Sequence, residues 1–454
     1  MSERTVAAIS TPKGQGGIAI IRISGDRAIN IADKCFVSAS GRKLLDLSGY
    51  SAAFGKAVNS DGAPIDEAVA LVFRAPKSYT GEDVVEISVH GGIVPARECL
   101  KSVFCAGAYP AGAGEFTKRA FLNGKIDLSE AESVMEIISA RSAAALNIAR
   151  GAKEGRISRD IQKITEKMLT AASGIAAYSD FPDEDIEELR PENFSAMLKE
   201  CEEDIGRLLE TFEGGQAVLC GVPCAIIGKP NVGKSTLMNM LSREERSIVT
   251  AKAGTTRDIV ETTVCAGDVT LILSDTAGIR DTDDEVEKIG VRRAINKLEN
   301  SALVLAVFDV SAPLDCEDEK IISYLAGKSC IAVLNKSDLP AMADIARFNG
   351  FSTVPVSAKN GAGLDELIEK IAGICGTDKL SADDTVLINE RQYSCAVRAK
   401  EAITKAGADL LSGVTLDAVG VLIDDALNAL FELSGRKASE DVVEEIFRNF
   451  CIGK

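Results

Sequence analysis

Apolar residues along this chain follow two periodicities, and the switch between them divides it. Up to about residue 118 they come in short runs rich in Ile and Val, at Thr5–Ile9, Gly17–Ser24, Ala68–Phe73 and Val84–Val89. Glycine turns separate these runs, which is the pattern of strands. Val94–Ala106 instead spaces its apolar residues as a helix does. From Ser129 the spacing turns helical and stays so to about Glu213, with one interruption at DFPDED (180–185). Ser129 and Glu132 have capping-box spacing, and Gly214-Gly215 reads as a boundary. A second helical stretch runs from about Asp383 to Phe450, where Val419, Leu422, Ile423, Ala426, Leu427 and Leu430 trace one apolar stripe.

Between the helical blocks, strand and helix patterns alternate as a parallel sheet with crossovers requires. The expected strands are Val222–Ile227, Val269–Ser274, Leu303–Val310, Cys330–Asn335 and Thr353–Ser357. Neither helical block has a partner of its own, so the economical arrangement is one helical domain with the α/β unit inserted in it. The fold class expected is multidomain, α/β plus all-α. Its boundaries are 1–118, then 119–216 with 378–454, and 217–377 for the insertion.

Composition narrows this picture. The 454 residues, 46% hydrophobic and 26% charged, suit a soluble protein of about three domains. No run reaches the roughly 18 apolar residues of a membrane span, and no basic-then-apolar leader opens the chain. A cytoplasmic protein with no membrane contact is expected. Twelve cysteines without a CxxC pair, and a single histidine, argue against a zinc site. The formal charge of −17 disfavours unaided binding to nucleic acid, so a partner is expected to supply much of any grip on RNA.

The chemistry concentrates in Gly228–Ser235, GKPNVGKS. Two glycines separated by four residues let backbone N–H groups turn inward on phosphates, while Lys234 adds charge and Ser235 offers a hydroxyl to Mg²⁺. Asn231, Val232, Gly233 and Thr236 complete the expected contact set. Asp275, Thr276, Ala277 and Gly278 follow a strand, where the Asp can reach the Mg²⁺ shell and the Gly N–H a γ-phosphate. Asn335, Lys336 and Asp338 of NKSD also follow a strand, and the Asp carboxylate suits the N1–H and N2–H₂ donors of guanine. Ser357 and Ala358 would buttress the base. The ligand is therefore GTP and the fold a Ras-like P-loop GTPase domain.

Catalysis is less plain from spacing. Thr256, in the loop TAKAGTTRD (250–258), is expected to complete the Mg²⁺ shell. Ile279 stands where many small GTPases carry a water-orienting Gln. No arginine finger is identifiable, although Arg257 and Arg280 are nearby. Asn231 with carbonyls of Thr250–Thr255 could hold a monovalent cation, and Asp283, Asp284, Glu285 and Glu287 are all open as water-placing carboxylates.

Three N-terminal stretches, TPKGQGGIAIIRISG (11–25), SYTGEDVVEISVHGG (78–92) and GEFTKRAFLNGKIDLSEAE (114–132), read by pattern only as turns and sheet edges. Together with DFPDED and the terminal Cys451-Ile452-Gly453-Lys454, they give the chain its resemblance, over essentially the full length, to the MnmE (TrmE) family of tRNA-modification GTPases. The resemblance implies an N-terminal α/β folate-binding-like and dimerising domain, a split helical domain and an inserted GTPase domain. It implies K⁺ held by Asn231, Thr250, Lys252 and Thr255, Mg²⁺ held by Ser235 and Thr256, and Glu287 orienting the attacking water. Arg22, Glu86, Lys125 and Lys454 fall where the family binds a 5-formyl- or methylene-tetrahydrofolate, and Cys451 is a further catalytic expectation. The implied assembly is a homodimer that joins the FAD-dependent partner MnmG (GidA) in a heterotetramer. It builds an aminomethyl or carboxymethylaminomethyl group on C5 of the wobble uridine of certain tRNAs.

Two rivals make different predictions. A ribosome-assembly GTPase switch would share the central motifs but not the N-terminal ones or the terminal CIGK. A folate-dependent metabolic enzyme regulated by GTP would act on a small molecule without tRNA.

Overall fold

The computed structural model describes residues 4–12, 14–180, 190–242, 262–273, 301–381 and 383–454. The N-terminal elements are β1 (Val6–Ile9), β2 (Ile18–Ser24), α1 (Ala28–Cys35), β3 (Phe36–Ser38), β4 (Ser51–Val58), β5 (Pro64–Phe73) and β6 (Val84–His90). They continue with α2 (Ile93–Cys105), β7 (Tyr109–Pro110), α3 (Glu115–Leu122) and α4 (Leu128–Ser139). Next come α5 (Ala143–Lys153), α6 (Arg156–Asp180), α7 (Pro191–Glu210) and α8 (Phe212–Leu219). The next elements are β8 (Val222–Ile227), α9 (Lys234–Ser242), β9 (Thr262–Ala266), β10 (Val269–Leu273), β11 (Leu303–Asp309), α10 (Cys316–Leu325), β12 (Cys330–Asn335), β13 (Ser352–Val356) and α11 (Leu364–Cys375). The chain closes with α12 (Glu390–Leu411), α13 (Leu416–Ser434) and α14 (Glu440–Arg448). It forms two compact units, Met1–Met135 with Phe431–Lys454, and Glu136–Leu430.

In the first unit seven strands pair in the order β3-β4-β5-β6-β2-β1-β7. Alternation along β2 buries Ala19, Ile21 and Ile23 against α1 and α2, whose inward faces carry Ile31, Cys35, Cys99 and Val103. The same period of two sends Arg22 to the opposite face, where its register partner on β6 is Glu86. Strand β4 has no counterpart in the pattern reading, because SAAFGKAV offers mostly small residues of weak strand preference. Its Gly55 is required by packing, since a Cβ there would lie 2.1 Å from the Val37 carbonyl oxygen.

The start of α4 corrects the expected cap. Asp127 and Glu130 form the reciprocal box: Glu130 N–H donates to Asp127 Oδ1 at 2.8 Å, and Asp127 N–H donates to Glu130 Oε2 at 3.0 Å. Ser129 is buried inside the helix and its hydroxyl donates to the Leu433 carbonyl instead. The sequence holds two overlapping boxes, and the earlier one wins because Leu128 and Ser129 must already be inside the helix to be buried.

In the second unit, α7 presents Phe194, Leu198, Cys201, Ile205 and Leu208 to α12, which answers with Cys395, Ala396, Ala399, Ile403 and Ala406. Large residues against alanines let the two helices approach closely. Gly214-Gly215, expected at a boundary, lie within a helix. Helix α8 runs through both, and a Cβ on them would lie 2.5 Å from the Gly376 oxygen and 2.1 Å from Val386 Cγ1. These glycines serve close packing, which a composition rule cannot distinguish from a break.

The second sheet has six strands in the order β13-β12-β11-β8-β10-β9. All its pairs are parallel except β10 with β9. Two apolar layers cover it, one including Leu237, Leu367 and Ile371, the other Phe308, Leu325 and Phe348. Both faces being buried explains why β11 and β12 read as unbroken apolar runs. From β8 the chain goes first toward β10 and then toward β11, so the crevice beyond the end of β8 is the topological switch point where such sheets bind ligands.

Candidate functional site

The loop leaving β8 is shaped by residues that tolerate little else. Gly228 sits at φ +149, and a Cβ there would lie 2.4 Å from the Val307 oxygen. Asn231 occupies the left-handed region at φ 64, a position asparagine accepts more readily than most residues. Gly233, at φ +99, has no room either, since a Cβ would lie 2.2 Å from Asn335 Nδ2. Lys234 Nζ donates to the carbonyls of Gly228 at 2.8 Å and Lys229 at 2.6 Å, which holds its charge across the loop. Ser235 and Thr236 are exposed in the first turn of α9, where backbone N–H groups have no helical acceptor. This cradle fits a phosphate chain, and the Ser235 hydroxyl is open to a Mg²⁺ ion.

Asn335 links three loops. Its Nδ2 donates to the Val232 carbonyl at 2.7 Å and its Oδ1 accepts the Ala358 N–H at 3.0 Å, with the side chain buried. Ser337 N–H donates to the Val356 carbonyl, and Ser357 Oγ donates to Asp338 Oδ1 at 2.7 Å. That hydroxyl bond holds the Asp338 carboxyl below its ordinary value. Asp338 is exposed and ionised, so its acceptors suit the two adjacent donors on guanine. Lys336, also at positive φ, pairs with Asp309 at the end of β11.

Two supports of this site were not legible in the motifs. Lys229 Nζ meets Asp315 and Asp318, each at 2.7 Å, which ties the phosphate loop to the capped start of α10. Asp309 does the same for Lys336. The only signal was a carboxylate after a strand and a D-x-x-D cap, neither specific.

Thr250, Lys252, Thr255, Thr256, Asp275, Thr276, Ala277, Gly278 and Glu287 lie outside the described residues, as do Arg257, Ile279, Arg280, Asp283, Asp284 and Glu285.

The first unit brings together residues far apart in sequence. Arg22 Nε and Nη2 both meet Glu86 Oε1 at 2.8 Å, and Arg22 Nη1 donates to the Gly453 carbonyl at 3.4 Å. The Arg22 guanidinium also lies 5.7 Å from the Tyr79 ring centroid and 5.4 Å from that of Phe116. The terminal residues are strapped alongside. Gly114 N–H donates to the Cys451 carbonyl, Phe116 N–H to that of Lys454, and Ile452 bridges to Ala113. Gly453 at φ +95 passes so close to β1 that a Cβ would lie 2.3 Å from the Ile9 oxygen. Cys451 is exposed. Lys125 Nζ donates to the Pro76 carbonyl at 3.1 Å, on the loop that carries Tyr79.

Beneath that loop, Arg119 is buried and bonded to Glu82, Glu115 and the Arg4 carbonyl. Pattern reading gave Arg119 no role, because a buried arginine looks like any other in a helical segment. Glu86 Oε2 has no hydrogen-bond partner among the described residues, which leaves one carboxylate oxygen open to an N–H donor.

Comparison with known proteins supplies the relatives. The family description "MnmE helical domain" matches residues 128–451, and "GTP-binding protein TrmE N-terminus" matches residues 5–125. The chain is 40% identical over 457 aligned positions to a tRNA modification GTPase MnmE of Geobacillus kaustophilus, covering 99% of each. It is 42% identical over 456 positions to the protein of the same name from Syntrophomonas wolfei, again covering 99% of each. Among solved structures it is similar to the G domain of the T. maritima FeoB iron transporter at 25% identity. That match covers 34% of this chain and 98% of the other, with a TM-score of 0.26 that bears no weight.

Proposed function

This chain belongs to the MnmE family of tRNA modification GTPases, and we propose that it is a potassium-dependent member acting on the wobble uridine. It is a GTP-binding enzyme that works in tRNA modification. In the finer reading, it installs an aminomethyl or carboxymethylaminomethyl group on C5 with an FAD-containing MnmG partner and a tetrahydrofolate one-carbon unit. The carrying observation is 40–42% identity to named relatives over 99% of the chain, joined to a phosphate loop, guanine loop and C-terminal strap built from the motifs of that resemblance.

The proposed limits are 1–118 for the folate-binding, dimerising domain, 119–216 with 378–454 for the helical domain, and 217–377 for the GTPase domain. Lys234 and the inward N–H groups of Asn231–Thr236 bind the phosphates. Asp338 reads the guanine edge, with Asn335 keeping its loop in register with the phosphate loop. Ser235 and Thr256 hold Mg²⁺, with Asp275–Gly278 beside it. Asn231, Thr250, Lys252 and Thr255 hold K⁺, which supplies the positive charge an arginine finger gives elsewhere. Glu287 orients water. Arg22, Glu86, Lys125 and Lys454 bind the folate, and Cys451 is the proposed thiol at its edge. The protein is proposed to be cytoplasmic and homodimeric. Among the described residues no helix is long and apolar enough to cross a membrane.

The test is GTP turnover in K⁺ and in Na⁺ at equal ionic strength. We expect turnover to be much faster in K⁺, and Asn231→Ala to erase the difference. Equal rates in the two salts would remove the cation from the mechanism.

A further inference from the structure

Within Glu136–Leu430 a cavity of about 740 Å³ opens between α5, the start of α6, the β9–β10 turn and the residues Thr377, Leu380, Ser381, Asp384, Thr385 and Val386. Neither the nucleotide loops nor the N-terminal site uses it. Small-molecule pockets span about 300–1,000 Å³, so the volume is ample for an organic ligand. Ile137, Ile148, Val218, Leu380 and Val386 make its walls largely apolar.

Arg141 lines this cavity and is half-buried. Its carbonyl accepts a 3.8 Å hydrogen bond from the Cys265 thiol, which fixes the backbone of this arginine against β9. Its guanidinium has no acceptor among the described residues. The nearby carboxylates do not answer it. Asp384 Oδ2 is engaged by the Ser381 N–H at 2.8 Å, and Asp268 is exposed on the β9–β10 turn. Arg156 adds a second positive charge to the lining, with the exposed Asp383 carboxylate 3.9 Å away. A guanidinium drawn out of water without a counter-charge is unfavourable, and an anion that enters relieves it.

We propose that this cavity is a binding site for a small amphipathic anion. Its carboxylate, sulfonate or phosphate group pairs with Arg141, and its ring or chain lies along the apolar wall. Such an occupant touches the helices and the β9–β10 turn of the nucleotide-binding sheet together. This site is separate from the reading of the nucleotide and folate residues and stands or falls independently of it.

The experiment uses the full chain and two fluorescent probes of one shape. 8-Anilinonaphthalene-1-sulfonate carries an anionic group, and N-phenyl-1-naphthylamine does not. We expect saturable binding of the sulfonate, about tenfold tighter than the neutral probe, the worth of one charge-assisted pair. Arg141→Gln should bring the two affinities together, Arg141→Lys should restore part of the gap, and Ala144→Trp should block both probes by filling the cavity. GTP turnover and circular dichroism of each variant exclude misfolding. Sulfonate binding that Arg141→Gln leaves unchanged in a folded protein overturns the proposal, as does binding that never saturates.

Discussion

The nucleotide loops and the proposed folate site at Arg22 are built in opposite ways. The nucleotide loop is made of neighbours: Gly228, Asn231, Gly233 and Lys234 lie within seven residues, and backbone conformation carries the function. The Arg22 site is made of strangers. Arg22 meets Glu86 sixty-four residues on, and Gly453 at the far end of the chain. A backbone device must recur as a contiguous string because its geometry is local. A side-chain device needs only a sheet register and a strap, so nothing in its local sequence announces it.

Variants that strike each construction should separate the two units, beginning with the largest effect. Gly233→Val forces a Cβ into Asn335 Nδ2 and imposes a positive φ on a branched residue. GTP binding by calorimetry should fall by about 10²-fold or more, as losing several phosphate contacts would. Binding of 5-formyl-tetrahydrofolate should be unchanged.

Arg22→Ala should show the reverse. It leaves the Glu86 carboxylate, mostly buried, without its cation and the Gly453 carbonyl without its donor. Folate affinity should drop about 10- to 100-fold, with GTP affinity as in the wild type. If Arg22→Ala weakened GTP binding as much as folate binding, the division between the two constructions would be wrong.

Lys229→Met sharpens the comparison, because it tests a side-chain support inside the backbone-built site. Without its ammonium the buried Asp318 loses its charge partner, and GTP affinity should fall by about tenfold. No loss would mean that the glycine geometry suffices alone.

Ser357→Ala is the mildest. The Ser357 hydroxyl depresses the Asp338 pKa, so in the wild type the carboxylate stays ionised below the ordinary value near 4. A depressed carboxyl contributes fully above its ordinary pKa, and that contribution is lost as pH falls through the lowered one. GTP affinity should therefore hold into mildly acid solution in the wild type. In Ser357→Ala the acid loss should begin at higher pH, with little change at pH 7.

What the sequence made legible follows the same divide. Strands β8, β11 and β12 and helix α9 were readable because both faces of their sheet are buried and the ligand loops sit at strand ends. Strand β4 was not, since Ala and Gly fill the positions where Val or Ile would signal a strand. The α4 cap was misplaced by two residues because the boxes Asp127/Glu130 and Ser129/Glu132 overlap and only tertiary burial of Ser129 decides between them. Gly214-Gly215 looked like a break and serves as a seat for Gly376 and Val386. Arg119 and Lys229 stayed silent because partners that set their roles, Glu82 and the Arg4 carbonyl for the first and Asp315 and Asp318 for the second, are distant in sequence. Arg22, Glu86 and the terminal strap were named only through family resemblance. Their pairing is a fact of register, Arg22 against Glu86, that no local pattern contains.

The most direct test of the central claim is mass analysis of tRNA nucleosides from cells whose only copy of this protein carries Gly233→Val or Arg22→Ala. The proposed function makes the GTP cycle and the folate site both necessary for one modification, so both strains should lack the C5-modified wobble uridine, although only Gly233→Val protein should lose GTP turnover. Normal wobble-uridine modification in the Arg22→Ala strain, with the protein present and its folate affinity lowered as predicted, would contradict the account.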